Sequence, residues 1–122
     1  MPHLMATHLN TAMRECVDEC LSCYTTCEAT LAHCLELGGK HADPDHIRLL
    51  TDCARICATS ADFMIRQSDV HMQICGVCAE VCRRCAEDCE RIDPSDRTMK
   101  ACAEQCRRCA ESCRNMAAHV VH

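Results

Sequence analysis

Sixteen of the 122 residues are cysteine, and they recur three, four or seven positions apart. Cys16-Cys20-Cys23-Cys27, Cys78-Cys82-Cys85-Cys89 and Cys102-Cys106-Cys109-Cys113 all read C-x3-C-x2-C-x3-C, and Cys34, Cys53, Cys57 and Cys75 extend the same register. On a helix this spacing stacks the sulfurs along one seam, where a bundle normally carries Leu or Ile. A seam of thiols is suited to soft metal ions. Residues three or four apart on a helix have Cβ atoms about 5–6 Å from each other, wider than the roughly 3.5–4.5 Å of a disulfide. Two metal–sulfur bonds of about 2.3 Å, placed end to end, nearly span that gap. Each such pair is therefore expected to form a two-coordinate site.

Coordination number and charge select the ion. Zinc needs four converging ligands, and ladders on separate helices do not obviously gather in fours. Cu(I) accepts two or three soft ligands and is preferred by cysteine and methionine. If each Cu(I) displaces one thiol proton, many ions enter a buried core without adding net charge, whereas divalent ions at the same loading leave an excess that burial penalises. Multiple Cu(I) ions per chain are the expected cargo; a zinc or cadmium thiolate buffer or an iron–sulfur carrier is the alternative. The pairs Cys20/Cys23, Cys82/Cys85 and Cys106/Cys109 have the C-x2-C spacing of redox dithiols, but they lie mid-helix without the strand–helix setting that activates one thiol. No enzyme activity is expected.

The elements that must hold these residues are legible in the breaks between cysteine runs. Helices are expected over approximately 10–37, 44–67, 69–92 and 94–118. Gly38-Gly39 stops the first, Asp43-Pro44 starts the second with a cap and a first-turn proline, Ser68 or Asp69 caps the third, and Asp93-Pro94 repeats the start signal for the fourth. Residues 78–89 and 102–113 match except at Val81/Gln105 and Asp88/Ser112, so the last two helices are copies of one thiol-bearing unit. Short connections and no strand alternation give an all-α fold: a single domain over 1–122, an antiparallel up-down-up-down four-helix bundle with a cysteine-lined core.

Continuing the seam outward places further donors at the two ends. Cys16, Cys57, Cys75 and Cys113 are expected toward one end, followed by Met13, Met64, His71 and Met116. Cys34, Cys89 and Cys102 approach the other, near His46, Met99 and the connection bearing His41, Asp43 and Asp45; this more polar end is the preferred mouth. His46, His41, His71 and Met64 thus join the sixteen cysteines as candidate ligands. His33 has no assigned role, and His3, His8, His119 and His122 read as tail residues. Outward-facing Glu80/Arg84, Glu87/Arg91 and Glu104/Arg108 are spaced for i,i+4 ion pairs. Val17, Leu21, Tyr24, Leu31 and Leu35, with Ile74, Val77 and Val81, form apolar stripes for helix contacts and an oligomer interface.

Leu, Ile, Val and Phe number only 20, below the roughly 20% at which burial alone folds a chain. Metal–thiolate bonds are the expected supplement. A net charge of −5 without a basic block argues against nucleic acid or an anionic membrane. The segment from Met1 to His8 has no signal-peptide character, and no stretch approaches the roughly 20 apolar residues of a membrane span. A cytoplasmic location follows as an expectation, and there thiols stay reduced.

The inward C-x3-C and C-x2-C ladders, the CAE-x-CRRCAE-x-C segments and the Asp-Pro helix starts resemble the bacterial copper storage proteins, in particular their cytosolic branch. The resemblance spans Cys16 to Cys113. It implies a four-helix bundle, a homotetramer, many Cu(I) ions on thiolates inside each bundle and a histidine-containing mouth; a copper chaperone or cuproenzyme is a separate expected partner. It makes all sixteen cysteines ligands. Thr30 occupies a ladder position, and His46, Leu50, Ser60 and Met64 take inward places on the second helix, so capacity at those levels is expected to be lower or differently arranged.

Overall fold

The computed structural model describes residues 9–118 and contains four long helices. They are α1 (Thr11–Leu37), α2 (Pro44–Ile65), α3 (His71–Ile92) and α4 (Arg97–Ala118), with a single 3-10 turn, Gly39–Ala42, between α1 and α2. No strand occurs among the described residues.

Local chemistry sets the boundaries. Asn10 caps α1 by accepting the Met13 N–H at 2.8 Å. At its other end Gly38 takes φ 71° and ψ −161° while its N–H reaches the Cys34 carbonyl at 3.0 Å, a conformation open essentially only to glycine. Asp43 caps α2 through the His46 N–H, with Pro44 in the first turn. The other boundaries differ from expectation. α2 ends at Ile65, because residues 66–68 fold into a turn in which Ser68 N–H returns to the Phe63 carbonyl at 2.9 Å. Ser68 then accepts the Val70 N–H, so α3 starts at His71 behind a Val70 cap with no side-chain hydrogen bond. The second Asp-Pro builds a turn: Asp93 accepts both the N–H and the hydroxyl of Ser95. The cap falls to Asp96, which accepts the Met99 N–H at 2.9 Å, and α4 begins at Arg97.

Paired distances give the antiparallel order directly. Cys16 meets Cys113 while Cys27 meets Cys102, so α1 and α4 run oppositely. Ser60 with Cys75, Cys53 with Cys82 and His46 with Asp88 do the same for α2 and α3. Every cysteine is buried and free. Buried alanines flank them, Ala79, Ala86, Ala103 and Ala110 coming from the two repeated units. Small residues there let α3 and α4 approach closely enough for the sulfurs to meet.

Glu80 pairs with Arg84 as its spacing suggests. The other two expected pairs do not form: Arg91 turns to Asp88 and Glu87 to Arg83, while Arg108 faces Gln105 and Glu19 of α1. A carboxylate three residues away or on the neighbouring helix competes equally well for a flexible arginine. The apolar stripes divide. Val17 is buried, and Tyr24, Leu31 and Val81 pack partly against the core, but Leu21, Leu35 and Val77 are exposed. Readings placed on His3, His8, His119, His122 and the segment from Met1 to His8 lie outside the described residues.

Candidate metal centre

The sulfurs touch across helices more than along them. Cys20 Sγ lies 3.4 Å from Cys113, Cys23 lies 3.7 Å from Cys106, Cys53 lies 3.7 Å from Cys82, and Cys57 lies 3.5 Å from Cys82 and 3.7 Å from Cys78. Within one helix Cys78 and Cys82 come to 3.9 Å. These separations can be set against the spans of metal–thiolate units. A linear S–metal–S unit with bonds of about 2.3 Å needs sulfurs about 4.6 Å apart, a trigonal one about 4.0 Å and a tetrahedral one about 3.8 Å. Same-helix pairs such as Cys23/Cys27, Cys53/Cys57 and Cys102/Cys106 also lie within 4.8 Å, the reach of a linear unit, so the expected two-coordinate pairs along a helix stand beside closer groupings between helices.

The sulfurs also gather in fours, contrary to the sequence expectation. Quartets with ligand atoms within 4.8 Å of one another include Cys20-Cys78-Cys109-Cys113, Cys23-Cys53-Cys57-Cys82, Cys23-Cys27-Cys53-Cys106, Cys27-Cys85-Cys102-Cys106 and Cys57-Cys78-Cys82-Cys109. Four helices facing one axis converge, which a single helix viewed alone does not reveal. These five draw on twelve cysteines, so eight of them belong to two quartets each. Bridging thiolates are built into the arrangement. Cys57, expected toward one end, sits inside this central set, because Ser60 and Met64 take the outer turns of α2.

At the end formed by the α1–α2 connection, Cys34 Sγ stands 3.5 Å from His46 Nε2 and 3.5 Å from Met99 Sδ. His46 is fully buried, and its Nδ1 meets the Asp88 carboxylate at 2.6 Å. That bond holds the proton on Nδ1 and turns the Nε2 lone pair toward the thiol, the arrangement of a metal-binding imidazole. Cys89 is buried nearby in sequence on α3, and Cys102 on α4. His41 is buried beside Asp93, with Nε2 3.0 Å from Oδ2, and His33 pairs with Asp96 at 3.0 Å. The polar donors therefore extend outward from Cys34.

The opposite end is apolar. Cys16 contacts Cys113 at 3.7 Å, and Cys75 contacts the Ser60 hydroxyl at 3.3 Å. Met64 is fully buried, Met116 nearly so, and Met13 packs partly against the core. His71 is half-buried, and its Nδ1 has no hydrogen-bond partner. Thr30, in its ladder position, returns its hydroxyl to the Thr26 carbonyl at 2.7 Å, satisfying itself without a metal.

Crowding splits the thiol acidities. A thiolate surrounded by S–H donors is stabilised, and its neighbours are then harder to ionise. Cys109, Cys113 and Cys16 lower Cys20 to about 6. Contacts led by Cys106 lower Cys23 and Cys102, while Cys106 itself is pushed up by its thiol neighbours, Cys102 foremost. Burial, with the Asp96 charge behind it, raises Cys34 to about 11.

Asp88 was not legible as a site residue, since α3's charged positions read as a solvated face. One signal was available: Asp88 is replaced by Ser112 at an otherwise matched position of the repeat. His33, Asp93 and Asp96 came into view only through the turn preceding α4.

A family model described as copper storage protein matches residues 9–118. A protein of Nitrosospira multiformis of solved structure is 48% identical, with a TM-score of 0.83 over 88% of this chain and 96% of that one. The Cu(I)-bound copper storage protein Csp3 of Bacillus subtilis is 34% identical, with a TM-score of 0.81 over 88% and 99%. The Streptomyces lividans copper storage protein Ccsp, loaded with 10 copper equivalents, is 29% identical, with a TM-score of 0.78 over 93% and 89%. A curated cysteine-rich protein of Bacillus subtilis is 37% identical over 64 residues, 52% of this chain, and the match spans 59% of that relative's length.

Proposed function

The chain belongs to the copper storage protein family, and from this premise we propose that it takes up many Cu(I) ions reversibly and holds them on thiolates inside the bundle. The observation that carries the reading is the overlap of sulfur quartets, at least five of them sharing members, among the buried cysteines. Copper neutralises such a core. Each Cu(I) that replaces one thiol proton leaves no net charge, whereas each isolated Zn(Cys)4 site leaves −2, and burying several such sites carries a large desolvation cost. The quartets do fit zinc one at a time, so a zinc or cadmium buffer is the second reading.

All sixteen cysteines are the proposed ligands. His46 caps the set from the polar end, where Cys34 and Met99 hand an ion inward and His41 stands further out. Met64 and His71 are the corresponding donors at the apolar end. The protein turns over no substrate in this reading. A cytoplasmic location keeps its thiols reduced; consistent with that, no described helix is long and apolar enough to cross a membrane. Exposed Leu21, Leu35 and Val77 support self-association, the tetramer being the form the resemblance implies. A copper chaperone or cuproenzyme is the proposed donor or acceptor.

The test is an anaerobic titration of the reduced protein with Cu(I) against a strong chromogenic chelator, with circular dichroism in parallel. Retention of more than about ten ions per chain on an already helical bundle is expected, since transport and regulatory sites hold one or a few soft ions. Saturation at about four or fewer would move the assignment to zinc or iron.

A further inference from the structure

Outside the thiol core, two imidazoles and two carboxylates converge where the turn after α1 meets the turn before α4. Asp96 Oδ2 lies 3.0 Å from His33 Nε2 and 3.9 Å from His41 Nε2, and Asp93 Oδ2 lies 3.0 Å from His41 Nε2. The His33 and His41 rings are edge to face with centroids 6.2 Å apart. His41 is only 9% exposed, yet its Nε2 makes no hydrogen bond of acceptable geometry. A buried ring nitrogen thus faces two carboxylate oxygens without bonding either.

The carboxylates are held for this. Asp93 Oδ1 accepts Ser95, and Asp96 Oδ1 accepts the Met99 N–H, which leaves Oδ2 of each turned toward the imidazoles. His33 Nε2 also contacts Asp96 Oδ1 at 3.2 Å, and exposed Lys40 approaches Asp93 at 3.9 Å, the cation that a metal would displace. Metal–nitrogen and metal–oxygen bonds of about 2.0–2.2 Å place neighbouring tetrahedral donors about 3.4 Å apart, within the range of the three Oδ2–Nε2 separations. Imidazole and carboxylate without sulfur favour a divalent borderline cation over Cu(I).

We propose that His33, His41, Asp93 and Asp96 form a second metal site, for one divalent cation of the zinc or cobalt class, separate from the thiol core. It stands outside Cys34 and shares no donor with any sulfur quartet, so one chain would carry a soft store and a borderline site side by side.

Co2+ is the probe. The full chain is loaded anaerobically with Cu(I) until its thiols are occupied, and the copper is quantified, so a failure of copper storage appears before cobalt is added. Co2+ is then titrated, with visible spectra and the imidazole NMR signals of His33 and His41 as readouts. The NMR readout applies equally to metal-free protein. The expected result is one Co2+ per chain, d–d bands without sulfur-to-cobalt charge transfer, and paramagnetic shifts at both histidines. His33→Gln and His41→Gln should each weaken binding more than about tenfold; neither residue caps a helix, and circular dichroism checks their fold. Unchanged affinity in both variants, or histidine signals that do not move with Co2+, would overturn the proposal.

Discussion

The two ends of the bundle terminate the same sulfur column with opposite chemistry. At one, Cys34 meets a buried imidazole fixed by Asp88 and a thioether, with two more histidines and two carboxylates outside. At the other, Cys16 meets Cys113 and Cys75 meets the Ser60 hydroxyl, with Met13, Met64 and Met116 in or against the same core. Acidity does not follow the axis simply, since neighbouring thiols lower Cys102 toward the polar end and raise Cys113 at the apolar one. The readily ionised Cys20 lies one turn inside the apolar end, whereas Cys34 at the polar end is raised to about 11. Neutral donors that can pass an ion along stand at the polar end, and a thiol that ionises readily, Cys20, stands near the other.

The sharpest way to break this contrast is to block each end in turn. His46→Phe removes the nitrogen that faces Cys34 and fills its space, and should slow Cu(I) uptake from a chelator by about 10–100-fold, the range found when metal-site orientation is lost. Asp88→Asn frees the ring tautomer and should produce the lower part of that range. Met64→Leu, a swap of similar volume, should leave the rate within about twofold. Stopped-flow transfer under anaerobic conditions measures all three. A slow Met64→Leu with a normal His46→Phe would reverse the assignment of the mouth.

Proton counting sharpens the comparison next. Cys20 has its pKa depressed, so it is a thiolate above about pH 6 and must be deprotonated by the metal only below it. An ion that settles there should release almost no proton from Cys20 at pH 7.5, and its affinity should fall about tenfold per unit once pH drops below 6. Ions bound by Cys34, raised to about 11, must displace its proton throughout that range. Proton release per copper, followed by pH-stat, should therefore start low and rise along the titration. Constant release from the first equivalent would mean that the first ions do not settle at Cys20.

Much of this was readable from spacing alone. The cysteine register located the seam, and Gly38 and the Asp43-Pro44 pair marked real helix ends. What escaped depends on contacts between helices. The gathering of sulfurs in fours requires all four helices around one axis, and the partner of His46 comes from 42 residues away on α3. The second Asp-Pro misled for a related reason. Asp93-Pro94-Ser95-Asp96 offers two carboxylates, and both capping arrangements satisfy local rules. Packing against His33 and His41 accompanies the one that puts the cap on Asp96.

The smallest effect concerns Ser60, the point where the ladder on α2 changes from sulfur to oxygen. Its hydroxyl is fully buried 3.3 Å from Cys75, and Cys57 stands one turn before it. Ser60→Cys exchanges one small buried group for another and adds a third thiol beside Cys57 and Cys75. It should leave the helix content unchanged and raise copper capacity by about one ion, since each added thiolate neutralises one Cu(I). Thr30→Cys, the matching change on α1, replaces a hydroxyl already bonded to the Thr26 carbonyl and should do the same. Equal gains at both positions would mean that capacity is limited by sulfur count alone. A gain at Thr30 without one at Ser60 would show that the apolar end excludes copper for a reason other than its missing thiol, and the contrast between the ends would then lie in packing as well as in ligands.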